Sequence, residues 1–194
     1  MKANSILKKV KGNLSNIIIV SILAVFLFNT TARAWLIQHI IATGIFNAEI
    51  KKEPPEQTRV NTQFAYADST GKVMLTSSLR GKTVFINFWA SWCPPCRGEM
   101  PSLNKLYIKM KGDSQVVFLF INEDNEPEKG RQYLKKQGFA IPFYTQAGDL
   151  PEEIFSGTLP TTVVINKEGV LVMKHQGMAG YDNEKFISQL KGLP

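Results

Sequence analysis

Two cysteines in a chain of 194 residues, Cys93 and Cys96, stand where a run of strand formers, Thr83-Val84-Phe85-Ile86-Asn87-Phe88-Trp89, gives way to a pattern that predicts a helix from about Pro95 to Met110. That placement constrains the fold and the chemistry together. With the first thiol at the helix N-cap and the second one turn inside, the two sulfurs can close a small disulfide without unwinding the helix. The first thiolate faces the positive end of the helix dipole, which lowers its pKa, while the second is tucked beneath it. Cys93 is therefore expected to be the nucleophile and Cys96 the resolving thiol: attack by Cys93 on a substrate disulfide gives a mixed disulfide, and Cys96, held at high effective concentration, resolves it. With only His39 and His175 as further soft ligands, no metal site is expected.

Around this motif the signals alternate between strand and helix. Phe64 to Ala67 and Val73 to Thr76 read as a hairpin about Asp68-Ser69-Thr70-Gly71, and Gln115 to Ile121 is a second apolar strand. Pro127 to Gln137 has a proline at its first position and Gly138 just past its end, the asymmetry of a helix. Phe143 and Tyr144 suggest a short edge strand. Thr161 to Asn166 and Val170 to His175 flank Lys167-Glu168-Gly169 as a second hairpin, and Asp182 to Lys191 closes the chain as a helix. The fold class that follows is α/β, a mixed sheet with helices on both sides. His175 is expected to be solvated.

The N-terminal part is of another kind. Residues 1–46 carry Lys2, Lys8, Lys9, Lys11 and Arg33 and no acid, and contain the twelve-residue apolar stretch Ile17 to Phe28. This is the pattern of an export signal or membrane anchor. Ala32-Arg33-Ala34 fits a signal-peptidase site, which would release a soluble form after Ala34. Leu14 to Ala34 is long enough to span a bilayer, with Arg33 snorkelling and Trp35 in the aromatic belt. Leu36 to Phe46, with His39 as an interfacial polar residue, would then lie along the membrane surface. We favour the uncleaved anchor, and the lysines ahead of the span leave the rest of the chain outside the cytoplasm. Residues 47–62, with Pro54-Pro55, read as a stiff linker, and a single domain is expected over residues 63–194. Of the net charge of +7, only +2 lies beyond residue 46, spread along the chain, so there is no basic stripe for nucleic acid.

Trp92-Cys93-Pro94-Pro95-Cys96, Gly81-Lys82 opening the core strand, Pro101 in the helix and Thr158-Leu159-Pro160-Thr161-Thr162 together resemble the TlpA/ResA branch of thiol–disulfide oxidoreductases, membrane-anchored members of the thioredoxin superfamily. The likeness covers roughly residues 63–194. It implies a thioredoxin fold with an N-terminal β-hairpin, and a cis Leu159-Pro160 bond facing the cysteines, where a substrate chain pairs like an added strand. Trp92, Pro94 and Pro95 would shape the same surface. Asn87 stands where cytoplasmic thioredoxins carry a buried, proton-shuttling aspartate and cannot titrate. Glu99, three residues after Cys96, matches the acid of the ResA-like branch, and a partly buried carboxylate there would exchange a proton with Cys96. The competing reading of Glu99 is a solvated first-turn residue that favours the helix dipole.

Neighbouring chemistries fit less well. Copper-delivery proteins of similar fold have three residues between their cysteines, and peroxiredoxins an isolated peroxidatic cysteine. Pro94 and Pro95 withhold two backbone donors from the Cys93 thiolate, which destabilises the reduced form and favours a reductase over an oxidase or isomerase; a binding module without catalysis is the weakest alternative. No cofactor is expected. The resemblance implies protein disulfide substrates, including the haem-attachment cysteines of apocytochrome c, and a thiol-shuttling transmembrane electron donor of the CcdA or DsbD kind.

Overall fold

The computed structural model describes residues 16–50 and 62–194. The helices are α1 (Asn16–Phe28), α2 (Thr30–Ala42), α3 (Pro94–Met110), α4 (Pro127–Gln137) and α5 (Glu184–Lys191). The strands are β1 (Ala65–Ala67), β2 (Val73–Leu75), β3 (Thr83–Trp89), β4 (Val116–Asn122), β5 (Tyr144–Gln146), β6 (Thr161–Ile165) and β7 (Leu171–Gln176), with a short 3-10 helix at Thr76–Leu79. They form one mixed sheet in the order β2-β1-β5-β4-β3-β6-β7. Parallel pairing joins β3 to β4 and β4 to β5, and the other neighbours are antiparallel. This is the thioredoxin-like α/β fold, a central mixed sheet flanked by helices, with the N-terminal hairpin β1–β2 added at one edge.

The period-2 pattern of the central strands divides the core. Phe85 and Trp89 of β3 and Phe118 and Phe120 of β4 point into one cluster, and Val84, Ile86, Phe88, Leu119 and Ile121 into the other. The long helices α3, α4 and α5 all feed the first cluster, through side chains such as Leu103, Leu134 and Phe186. Because β3, β4 and β5 advance in one direction across the sheet, two right-handed crossovers put α3 and α4 on the same face. Helices were expected on both sides; among the described residues the second face carries the 3-10 helix and the Leu150–Phe155 segment, where Phe155 stacks on Phe88 at 4.4 Å.

The N-terminal region departs from the expected continuous span. The helix stops at Phe28, and the side chain of Asn29 caps α2 by accepting from the amides of Thr31 and Ala32. The two helices meet at 90°, and among the described residues no single helix is long and apolar enough to cross a membrane. The reason is local: an asparagine is a strong N-cap, and it restarts the helix in a new direction. Arg33 turns back to donate to the Phe26 carbonyl at 2.6 Å. Nor does α2 simply lie on a surface, since Ala34 and Ile41 are buried and the helix packs against α3. His39 is exposed, its ring against Trp35.

The linker reading of residues 47–50 is also corrected. Asn47 bridges to Gly180, the Ala48 amide donates to the Gly180 carbonyl, and Ala48 and Ile50 are buried in the first cluster. The side-chain amide of Gln189 accepts from the Ile50 amide at 3.0 Å and donates to the Ile50 carbonyl at 2.7 Å. Apolar side chains at Ala48 and Ile50 find a pocket against α5, so this stretch is part of the domain. Residues 51–61 of the expected linker, and Lys2 to Lys11, lie outside the described residues.

Candidate active site

β3 delivers the chain to the redox motif and α3 begins within it. Cys93 is the N-cap of α3, its backbone extended, and its Sγ accepts from the Cys96 amide at 3.3 Å. Pro94 and Pro95 occupy the first helical turn, where their missing N–H groups break no helical bond. The two cysteines are joined in a disulfide with Cα atoms 5.3 Å apart. Cys96 is fully buried and Cys93 nearly so, whereas Trp92 beside them is 61% exposed.

Two further segments reach the same end of the sheet. In the β3–β6 register Phe88 faces Thr161, so the cis bond between Leu159 and Pro160 lies next to the end of β3, beside Trp89. The Pro160 carbonyl accepts from Gly177 and the Thr161 hydroxyl donates to the Thr158 carbonyl at 2.7 Å, which holds this loop in place. From the end of β4, buried Asp124 accepts from both the amide and the hydroxyl of Ser91, two residues before Cys93, at 3.1 Å. Asn122 steadies Asp124 through a 2.8 Å bond. Nothing in the sequence beyond an acid just past a strand pointed to this clamp.

Glu99 is completely buried, so it is neither the solvated residue nor the partly buried one the sequence allowed. It sits on α3 one turn beyond Cys96, with Oε1 accepting from the Asn87 side-chain amide at 2.9 Å and Oε2 from the Ala179 backbone amide at 3.2 Å. Burial lifts its carboxyl to about 8, although both hydrogen bonds pull the other way. Asn87 also donates to the Thr162 hydroxyl at 3.0 Å, which leaves its own buried Oδ1 without a partner among the described residues. As it stands, the amide donates to Glu99 and so favours the ionised carboxylate. Fully buried Tyr181 adjoins this group; burial first and the Glu99 charge second push its phenol well up, and Thr162 opposes them.

From sequence, Asn87 is set aside as unable to titrate and Tyr181 is not singled out, although both adjoin Glu99. Asn87 carried a readable signal, a lone amide on the inward face between Phe85 and Trp89. Glu123, following β4, is a second carboxyl raised by burial, to about 7. His175 is half-buried near the Met178 carbonyl rather than solvated.

A buried disulfide at a helix start, an acid beneath it and a cis proline beside it are the parts of a thiol–disulfide exchange centre. Comparison with known proteins agrees with that chemistry. Residues 55–186 match the Redoxin family. The chain is 35% identical over 131 residues to the thiol-disulfide oxidoreductase ResA of Halalkalibacterium halodurans, covering 66% of this chain and 73% of that protein. It is 34% identical over 145 residues to ResA of Bacillus cereus, covering 74% and 76%. Among solved structures, a thiol:disulfide interchange protein of the thioredoxin family from Chlorobium tepidum superposes with a TM-score of 0.55 at 25% identity, over 73% of this chain and 99% of that one. The chain therefore belongs to the Redoxin family, as a ResA-like thiol–disulfide oxidoreductase whose Cys-x-x-Cys pair is Cys93 and Cys96.

Proposed function

We propose that the protein is an extracytoplasmic, membrane-anchored reductase of protein disulfides, among them the haem-attachment cysteine pair of apocytochrome c, and that a membrane-spanning thiol shuttle of the CcdA or DsbD kind returns its electrons. The observation that carries the direction is the thin shell of donors at Cys93. Pro94 and Pro95 bring none, and the Cys96 amide is the backbone donor to Sγ among the described residues. A thiolate held by so few donors makes the dithiol a stronger reductant.

In the reaction the Cys93 thiolate attacks one sulfur of the substrate disulfide, that bond breaks, and the departing substrate thiolate takes up a proton. Cys96 then attacks Cys93 Sγ, giving its own proton to Glu99, and the second substrate sulfur leaves. Substrate has gained two electrons and the protein has lost them as the Cys93–Cys96 disulfide. A Glu99 carboxyl that holds its proton to about pH 8 in the disulfide form supports its place as the acceptor of that proton and its donor on re-reduction. Trp92, Pro94, Pro95, Leu159 and Pro160 form the surface on which the substrate chain lies, its backbone pairing beside the cis proline.

Equilibration against a glutathione buffer measures the couple. We expect a potential well below the roughly −120 mV of DsbA, each 30 mV being worth about 1.4 kcal/mol. A value near that of DsbA would make the protein an oxidase.

A further inference from the structure

The anchor does not merely tether the catalytic domain. α2 and α3 lie side by side and run the same way: Arg97 donates to the hydroxyls of Thr30 at 3.3 Å and Thr31 at 3.1 Å, one residue past Cys96, while Ala34 and Ile37 meet Gly98. Further along, Gln38 and Ile41 face Pro101 and Lys105 across a cavity of about 350 Å³. Gly98 is needed for this approach, because a methyl group there would overlap the Ile37 side chain, with Ile37 Cβ at 2.8 Å. The Arg97 guanidinium also lies over the Tyr133 ring at 5.3 Å, joining α2, α3 and α4 at one point.

It follows that both helix starts, Asn29 for α2 and Cys93 for α3, are at the same end of the domain. There α1 departs at 90°. α1 is apolar all round: among the described residues Ile17, Ile19, Val20, Leu23, Leu27 and Phe28 are between 52% and 86% exposed. A helix without a polar face is solvated by lipid, and the lysines ahead of it suit anionic headgroups. Whether α1 stands along the bilayer normal or lies in its plane, the first turn of α3 is beside the place where α1 meets lipid.

We propose that the α2–α3 contact holds the redox end of the domain, with Trp92 and Cys93, against the bilayer surface, so that the pair acts on disulfides presented at the membrane. The inference rests on the anchored reading above and adds the orientation. The test uses the full-length protein with Trp35→Phe, in vesicles of phosphatidylcholine and phosphatidylglycerol made with or without shallow brominated lipid; a Trp92→Phe companion gives the background from buried Trp89. Trp92 fluorescence is expected to be lost in the brominated vesicles. Ile37→Lys, which sets a charge against Gly98, and independently Thr30→Val with Thr31→Val, are expected to restore it while the protein still floats with the vesicles. Equal Trp92 emission in both vesicle types, with the protein floating, overturns the orientation and leaves anchoring intact. Failure to float overturns both. Quenching unchanged in both variants that keep a folded circular-dichroism spectrum shows that this contact does not set the orientation.

Discussion

At the scale of single residues, position on the helix separates the two sulfurs more than exposure does. Cys93 is an N-cap facing the end of α3, with Trp92 open to solvent beside it, whereas Cys96 is enclosed within the first turn. That placement is why the proposed mechanism assigns the incoming disulfide to Cys93. Cys96→Ser is therefore expected to accumulate mixed disulfides through Cys93, because attack persists and resolution does not; non-reducing electrophoresis of cell extracts reads the adducts. If Cys93→Ser traps partners and Cys96→Ser none, the roles are reversed. The two thiols were legible from their spacing at a strand-to-helix junction, whereas the cis bond at Pro160 was legible only through the family resemblance that the motifs carry. Asn87 was legible only as a lone inward-facing amide, and its partners were not, since they depend on what stands across the sheet: the β3–β6 register brings Thr162 opposite it, and α3 brings Glu99 over it. Asp124 was hidden for a similar reason, as its partner Ser91 is 33 residues away in sequence.

Elements inherit demands from these contacts, and α4 shows one. Gly130 lies within it although glycine is a poor helix former. A Cβ there would come within 2.6 Å of the Asn122 side-chain nitrogen, and Asn122 in turn braces Asp124 and through it the loop ahead of Cys93. Gly130→Ala should gain about 1 kcal/mol of helix propensity and lose more by overpacking a buried amide, for a net loss of about 1–2 kcal/mol. Gly112→Ala, with no atom within 4 Å of its Cβ, is the control and should change little. Urea midpoints decide between them; equal midpoints for the two variants would mean that Asn122 has room to move. The helices and central strands were readable from periodicity. Which face α4 takes was not, because that is set by strand order, a property no local window contains.

Over the whole molecule, buried Glu99 ties stability to pH. Its carboxyl titrates near 4.5 when unfolded and near 8 when folded, so the folded state binds the extra proton between those values. Stability carries no penalty below about pH 4.5, falls as pH rises from there, and levels off above about pH 8, a total of up to about 5 kcal/mol. Glu99→Gln should flatten most of that decline in a chemical-unfolding series, leaving the smaller slope of the same sign that Glu123 contributes up to about pH 7. Parallel curves for the two proteins would mean that Glu99 finds a partner for its charge. At this scale the sequence was least informative about residues 29–50: composition announced an apolar segment, but the 90° turn at Asn29, the niche at Gly98 and the seat for Ile50 exist only once the domain is folded. The way Gln189 holds Ile50 has a further meaning. A side-chain amide here imitates a neighbouring strand for one residue, matching a peptide unit donor for acceptor. Such a clasp reads only the backbone of residue 50, whose apolar side chain is fixed separately by the core, and it is intolerant of change at residue 189, where glutamate would press a carboxylate on a carbonyl and methionine would offer nothing.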